Sequence, residues 1–339
     1  MKIAELALER IALDDTTFDL GYARRYDALR RSIAEVGVLQ PLLVRQCDAD
    51  RQRQRVQVSR SRFQIVCGFG RARVASELGL APLPAQLLAP ETSDGDCLRL
   101  ALFDNLPHRR FNPIERAMAL SKLRRHVGRQ QLVRDYMPLL GLQPNGSLLD
   151  RTLALAQLSE GLKRAVAEGR IEAKVGASLA ALPSDDQAAF ARLLERCQPS
   201  VSVVRELAEA LADVARRDGL TIREILASPE VSAILDSQEM TRRTASERTA
   251  ALRHHVRRLR YPTVSLHEAR FAEVRSALRL PPFMQLEPAP NFESDEIRLE
   301  IRFQNEEELR RSAAVLAGWF DDPSLLKRLW PSDIGPAEQ

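Results

Sequence analysis

The chain has 339 residues, 45% hydrophobic and 28% charged, with a formal net charge of +4 and a pI near 9.0. This length favours two or three domains over a single core, and the small positive charge permits nucleic-acid binding without requiring it. No stretch approaches the roughly 20 apolar residues of a membrane span, and the N-terminus lacks a signal-peptide pattern. The sequence therefore predicts a cytoplasmic protein without a membrane partner. Its four scattered cysteines show no metal-ligand spacing.

The first 127 residues are predicted to mix strands and helices. Alternating apolar residues indicate a strand within 1–20, and apolar groups at helical spacing indicate a helix over 26–36 that stops at Gly37. A turn then leads into a strand that ends near Arg45. Residues 46–60 are polar and rich in Arg and Gln, which favours a hairpin arm. A short strand over 85–88 and helices over 97–105 and from 114 to about 127 complete this part.

Residues 63–80, FQIVCGFGRARVASELGL, predict a strand, a turn with two glycines and a helix that begins at Arg71. Glycines let the backbone approach a ligand closely, and the free N–H groups at a helix start favour an anion. Many such turns bind nothing, so the pattern alone leaves both interpretations open. Cys67 is predicted to be a buried strand residue rather than a nucleophile.

The helix that follows residue 112 carries a strong start signal. Asn112 is a good N-cap, Pro113 suits the first helical position, and Glu115 favours the positive end of the helix. This combination supports the helix predicted from residue 114, with Asn112 as its cap and Pro113 at its first position.

Residues 130–218 are predicted to be all-helical. Helices over 130–140 and 147–158 are joined by a turn with Gly141 and Gly146, which makes them a helix-turn-helix candidate. A plain helical scaffold, with the second helix simply part of the core, is the alternative. Further helices are predicted over 160–168, 171–182 and 184–218.

The last part of the chain begins after Gly219. Residues 240–260 are distinctly basic, and they predict either a solvated helix face or a phosphate-contacting surface. Strands over 284–287 and 297–303 and a helix over 306–319 predict a small α+β unit.

Three motifs in a fixed order identify a family. The segments IAEVGVLQPLLVR (33–45), IVCGFGRARVASELGL (65–80) and DNLPHRRFNPIERAMAL (104–120), followed by the helix-turn-helix candidate, resemble the ParB family. These are partition proteins that bind a centromere-like DNA site and switch state on CTP. The resemblance covers residues 1–182. It implies an α+β ParB/sulfiredoxin-like N-terminal domain over 1–127 and an all-α helix-turn-helix domain over 128–218, which leaves 219–339 for the basic helices and the small α+β C-terminal unit.

The resemblance also implies a pocket for CTP with Mg²⁺. The family's phosphate motif reads Gly-Glu-Arg-Arg-x-Arg-Ala, and this chain departs from it at Phe69 and Gly70. Each lost charge-assisted contact is worth about 1.5–3 kcal/mol, so the two departures predict weaker nucleotide binding. The implied nucleotide ligands are Gln40, Gly68, Gly70, Arg71, Arg73, Asn105 and Glu115, with Asp104 as the catalytic residue and Asp104 and Asn105 as oxygen ligands of Mg²⁺.

The DNA-contacting part departs from the family as well. The turn after Gly141 is about two residues longer, and Lys174-Val175-Gly176-Ala177 replaces Gly-His-Ala-Arg. The family's own site preference is therefore not expected. The candidate DNA contacts are Arg134, Ser147, Arg151 and Lys174. The resemblance further implies a homodimer associated with the nucleoid, with a partition ATPase as a partner.

Three functions remain open from the sequence. The first is a ParB-like protein that binds duplex DNA and responds to CTP. The second is a nucleotide hydrolase or phosphotransferase, in which Asp104 or Glu115 acts as base or metal ligand and Arg71 stabilises charge. The third is a non-catalytic adaptor that acts through its C-terminal unit.

Overall fold

A computed structural model of the chain describes residues 2–47, 63–236, 244–294 and 296–321. The predicted hairpin arm over 46–60 lies outside these residues except for Gln46 and Cys47. The chain divides into two compact units, residues 1–195 with 200–205 and residues 196–199 with 206–339. Among the described residues, no helix combines the length and the apolar character needed to cross a membrane.

The first unit begins with a five-stranded mixed sheet. Its strands are β1 (Lys2–Leu6), β2 (Ile11–Ala12), β3 (Leu42–Gln46), β4 (Phe63–Cys67) and β5 (Leu83–Leu88), in the order β1-β5-β3-β4-β2. β1 pairs antiparallel with β5, and β3 pairs antiparallel with β4. β3 with β5 and β2 with β4 are parallel pairs. This sheet confirms the α+β class predicted for the N-terminal domain.

In the described residues, the sheet is accompanied by the helices α1 (Asp27–Val36), α2 (Phe69–Glu77), α3 (Asp94–Asn105) and α4 (Pro113–Leu123). Gly37 ends α1 as predicted, with φ of 73°. α2 begins at Phe69, two residues before the predicted start, because Gly68 already caps the helix. α4 ends at Leu123 rather than near residue 127, since the amides of Arg125 and His126 bond three residues back, to Lys122 O and Leu123 O, instead of four.

Strand β4 is buried at all five of its residues, which explains its largely apolar sequence. Ile65 packs in one hydrophobic cluster with Ala72 and Ala75 of α2. The next residue, Val66, points to the opposite face and packs in a second cluster with Leu102 of α3. The Gly68 turn, which follows β4 directly, is therefore fixed by a rigid strand.

The rest of the first unit is helical, as predicted. A composite helix, labelled α5, has the successive parts Arg129–Gln131, a π-helical turn Leu132–Tyr136, and Met137–Leu139. It is followed by α6 (Gly146–Ala154), α7 (Glu160–Ala167), α8 (Ala173–Leu179) and α9 (Ser184–Cys197). The last two residues of α9 and most of the next helix, α10 (Val201–Asp218), belong to the second unit. The cluster around Val66 continues through Leu132, Met137 and Leu149. One hydrophobic core thus crosses the predicted domain boundary at residue 127, and the boundaries themselves stay predictions.

The C-terminal part contains α11 (Ile222–Leu226), α12 (Pro229–Asp236), α13 (Ala245–Arg260) and α14 (Pro262–Ala277). A hairpin of β6 (Met284–Pro288) and β7 (Ile297–Ile301) precedes α15 (Glu306–Asp321). The strands pair antiparallel, and a small core joins Leu286 to Phe271 and Val274 of α14. This arrangement confirms the predicted small α+β unit.

The basic stretch 240–260 forms α13 over its described part, and much of its charge is neutralised. Arg253 pairs with Glu206 at 2.7 Å, Arg257 with Glu268 at 2.7 Å, and Arg260 with Asp213 at 2.5 Å. Arg242 and Arg243 lie outside the described residues. The paired arginines favour the solvated helix face over the phosphate-contacting surface.

Candidate nucleotide site and nucleic-acid interface

The Gly68 turn has the backbone geometry of an anion site. Gly68 adopts a left-handed conformation with φ of 97°, and a Cβ there would lie 2.8 Å from Leu42 Cδ2. The first hydrogen bond of α2 runs from Ala72 N to Gly68 O at 3.0 Å. The amide groups of residues 69–71 precede that bond, so they are the donors that a helix N-terminus offers to a phosphate.

Arg71 joins this turn to the loop before β3. Its Nη1 donates to Gln40 O at 2.8 Å and to Pro41 O at 2.9 Å. Its Nη2 lies 3.1 Å from the place of a Cβ on Gly68. Within the described part of the chain, Arg71 has no carboxylate in ion-pair distance. The structure therefore brings together three predicted nucleotide ligands, Gln40, Gly68 and Arg71, at the turn.

The other flank of α2 holds Gly70 and Arg73. A Cβ on Gly70 would lie 2.6 Å from Cε1 of Tyr26, so the tyrosine ring covers this glycine. The Arg73 guanidinium is exposed and lies 5.9 Å from the centre of the same ring. Tyr26 was not among the residues singled out from the sequence.

Asp104 lies beside the turn from a different element. It is exposed on the last turn of α3, and its carboxylate is near enough to affect the Cys67 thiol. Burial, and then the charge of Asp104, hold the pKa of Cys67 far above its ordinary value. The thiol is therefore protonated at neutral pH. Its burial in β4 confirms the prediction of a buried strand residue.

Asn105 and Glu115 form a second cluster, centred on Arg109. The Asn105 side chain donates to Ala101 O at 2.7 Å and accepts from Arg109 Nε at 2.8 Å. Arg109 Nη1 lies 2.6 Å from Glu115 Oε1. The side-chain amide of Asn105 thus already bonds to Ala101 and Arg109. Its assignment as a Mg²⁺ ligand stays a prediction.

Glu115 has both of its oxygens occupied. The predicted cap is confirmed, because the Asn112 side chain accepts from Glu115 N at 2.9 Å and Glu115 Oε2 accepts from Asn112 N at 3.0 Å. Oε1 accepts from Tyr22 N at 3.1 Å, in addition to Arg109. The residue is only 2% exposed, and its role as a nucleotide ligand stays a prediction.

The residues of the turn fit a nucleotide with Mg²⁺. A helix N-terminus and Arg71 suit phosphate oxygens, and Asp104 supplies a hard oxygen ligand. Among the described residues, no cluster of three or more His, Cys, Asp or Glu side chains is arranged to hold a metal alone. Since Mg²⁺ is commonly bound by one or two carboxylates together with substrate phosphates, a single Asp104 is compatible with the ion.

The helix-turn-helix candidate consists of α5, the turn over 140–145 and α6. Asn145 caps α6 by accepting from Leu148 N at 2.9 Å. Leu149 and Thr152 are buried, whereas Ser147 and Arg151 are exposed on the opposite face. The predicted contact residues of α6 therefore lie on a solvent-facing surface, as an interface helix requires.

Two ion pairs limit the positive charge around this helix. Asp150 accepts two hydrogen bonds from Arg129, at 2.6 and 2.8 Å. Arg134 pairs with the adjacent Asp135 at 2.7 Å. Lys174 is exposed at the start of α8. Arg151 and Lys174 are therefore stronger candidates for phosphate contact than Arg134.

Comparison with known proteins gives a family match. The model of the ParB N-terminal domain matches residues 16–106. A probable chromosome-partitioning protein ParB of Pseudomonas putida is 28% identical over 167 residues, 49% of this chain and 51% of that protein. A probable plasmid-partitioning protein ParB of Thermus thermophilus is 28% identical over 222 residues, 57% of this chain and 69% of its own length. A nucleoid occlusion protein of Geobacillus kaustophilus is 32% identical over 108 residues, 32% of this chain and 33% of that protein.

Solved structures of ParB also match. A C-terminally truncated chromosome-partitioning protein ParB from Caulobacter crescentus, complexed with CTP-gamma-S, has a TM-score of 0.26 at 22% identity, and covers 57% of this chain and 99% of its own. The chain spans about half the length of the first curated relatives it matches, 51% in each case. The resemblance predicted from the sequence is confirmed, since residues 16–106 match the model of the ParB N-terminal domain.

Proposed function

We propose that this chain is a ParB-type partition protein that binds duplex DNA as a homodimer and binds CTP with Mg²⁺ at the Gly68 turn. The observation that carries the proposal is the match of residues 16–106 to the ParB N-terminal domain, with the turn, Arg71 and Gln40 in contact inside the matched segment. A location at the nucleoid, and a partition ATPase as a partner, belong to the same proposal.

The nucleotide part of the proposal rests on the chemistry of the turn. In a bound complex, the N–H groups at the start of α2 and the Arg71 guanidinium face the phosphates. Asp104 would hold Mg²⁺, and the ion would supply charge neutralisation for the phosphates when bound. Phe69 and Gly70 supply neither a carboxylate nor a guanidinium, so we expect binding weaker than a site with both groups would give.

The DNA part rests on α6 and α8. Ser147 and Arg151 are exposed near the start of α6, and Lys174 is exposed at the start of α8. Lysine and arginine side chains contact phosphates without regard to sequence, whereas base edges are read by polar groups near the start of a recognition helix. The relatives from Pseudomonas putida and Thermus thermophilus carry names of chromosome and plasmid partition, which supports the same assignment.

A nucleotide screen tests the central claim. The full chain is titrated with CTP, ATP, GTP and UTP by calorimetry, with Mg²⁺, in the presence and absence of a mixed-sequence duplex, and phosphate release is followed in parallel. We expect selective CTP binding that changes when DNA is present. CTP turnover would add a hydrolase activity to the same site. If none of the four nucleotides binds and no DNA binding is detected at low salt, the non-catalytic adaptor is supported instead.

Arg151→Ala tests the DNA interface. We expect weaker binding to duplex DNA at low salt, because one phosphate contact is lost. We also expect the slope of log affinity against log salt to become shallower by about 0.9, the value for one phosphate. Arg99→Ala, which removes the same charge from α3, serves as the matched control. Equal slopes for the wild type and Arg151→Ala would remove Arg151 from the interface.

A further inference from the structure

The ring of Tyr26 occupies the space above Gly70. Tyr26 immediately precedes α1, and its carbonyl accepts from Arg30 N at 2.7 Å. A Cβ on Gly70 would lie 2.6 Å from Cε1 and 3.2 Å from Cδ1 of the ring. Side-chain carbons do not approach each other this closely, so only glycine fits beneath the ring in this arrangement.

The same ring supports Arg73. Residues 70 and 73 are three positions apart, so they lie on one face of α2. The Arg73 guanidinium lies 5.9 Å from the ring centre, within the distance of a cation–π contact. On the other flank, Arg71 is bound to the carbonyls of Gln40 and Pro41. Two arginines therefore flank the start of α2, one held by backbone carbonyls and the other by an aromatic ring.

Other contacts also hold α1 against α2. Arg30 of α1 forms an ion pair with Glu77 at the far end of α2. Ile33 of α1 is 3% exposed. The position of the ring is thus determined by the pairing of two helices, and that pairing has contacts that do not involve Tyr26.

We propose that Tyr26 is a positioning residue, whose ring holds the Arg73 guanidinium ready for the phosphate chain of a nucleoside triphosphate at the start of α2. The proposal rests on the proposed nucleotide-binding function. A free arginine must lose its rotamer freedom when it binds a phosphate, and a guanidinium already resting on a ring has less freedom to lose. Gly70 is needed because its missing side chain makes room for the ring.

The test is a double-mutant cycle on CTP affinity, measured by calorimetry on the full chain. We expect Tyr26→Ala to weaken CTP binding about fivefold, the upper range of an exposed cation–π contact. Tyr26→Phe keeps the ring and is expected to restore the affinity lost in Tyr26→Ala. Since the ring acts through Arg73, Tyr26→Ala should cause no further loss in an Arg73→Ala background. A purely structural role of the ring would instead give additive losses.

Gly70→Ala provides an independent second cycle. In the wild-type background the new methyl group collides with the ring, so we expect weaker CTP binding, comparable with Tyr26→Ala. In a Tyr26→Ala background the collision is gone, and Gly70→Ala should change the affinity by less than about twofold. Thermal unfolding of every variant distinguishes a loss of affinity from a loss of fold.

The outcomes distinguish a failure of the Tyr26 positioning role from a failure of the proposed nucleotide binding. If the wild type binds CTP but the losses in both cycles are additive, Tyr26 is not a positioning residue and the nucleotide function stands. If the folded wild type binds no nucleoside triphosphate, the positioning role and the nucleotide part of the proposed function are both wrong. Recovery with Tyr26→Phe, together with non-additive losses, supports the positioning role.

Discussion

Arg71→Ala is expected to weaken CTP binding by about 10- to 100-fold, the largest effect of any single change at the turn. A charge-assisted hydrogen bond is worth about 1.5–3 kcal/mol, and one factor of ten in affinity corresponds to 1.4 kcal/mol. The side chain also holds the carbonyls of Gln40 and Pro41, at 2.8 and 2.9 Å. Its removal therefore takes away a phosphate partner and releases the loop next to the turn. Calorimetric titration with CTP and Mg²⁺ measures the change.

Two further variants make this result specific. Arg71→Lys keeps the charge but loses the forked geometry, so it should fall between the wild type and Arg71→Ala. Arg31→Ala removes the same charge from an exposed position of α1 and should bind CTP as the wild type does. Unchanged CTP affinity in a folded Arg71→Ala protein would exclude the turn as the phosphate site.

Local signals in the sequence predicted much of the fold. The Asn112 cap with Glu115 three residues later is a self-contained pattern, and the structure confirms both of its hydrogen bonds. The apolar run before Gly68 predicted a strand for a similarly local reason. Element boundaries were less accurate, because the caps that set them depend on backbone conformation at single residues such as Gly68.

Contacts between distant segments were not predictable in this way. Tyr26 and Gly70 are 44 positions apart in the sequence, and only the packing of α1 on α2 brings them together. The absence of a side chain at residue 70 was read as room for a ligand, whereas an aromatic ring uses that room. Likewise, charge counting marked residues 240–260 as basic, but it could not show that carboxylates on other helices, such as Glu206 and Glu268, pair with those arginines.

The resemblance to the ParB family implied a single set of nucleotide ligands. In the structure, members of this set lie in two separate clusters. Gln40, Gly68 and Arg71 meet at the turn, with Asp104 beside it. Asn105 and Glu115 meet at Arg109 instead. A sequence motif records which residues occur together, and the two clusters show that such residues can have different contacts.

Glu115→Ala is expected to destabilise the protein by about 3–5 kcal/mol, the usual cost of removing one partner of a buried ion pair. Glu115 is 2% exposed, and its loss leaves the Arg109 guanidinium without its carboxylate. It also leaves the N–H groups of Tyr22 and Asn112 without their acceptors. Burial already lowers the pKa of Arg109, and the charge of Glu115 opposes that effect. Urea denaturation monitored by circular dichroism gives the free energy of unfolding.

The matched control for this prediction is Glu168→Ala. Glu168 also pairs with an arginine, Arg170, at 2.9 Å, but the two side chains are 47% and 43% exposed. An exposed pair of this kind contributes about 0–1 kcal/mol, so the same substitution should cost little there. A loss below 1 kcal/mol for Glu115→Ala would contradict the structural role. If Glu115→Ala instead lowered CTP affinity at unchanged stability, Glu115 would belong to the nucleotide site. Comparing the loss of unfolding free energy with the loss of CTP affinity in Glu115→Ala therefore decides whether the Arg109 cluster supports the fold or contacts the ligand.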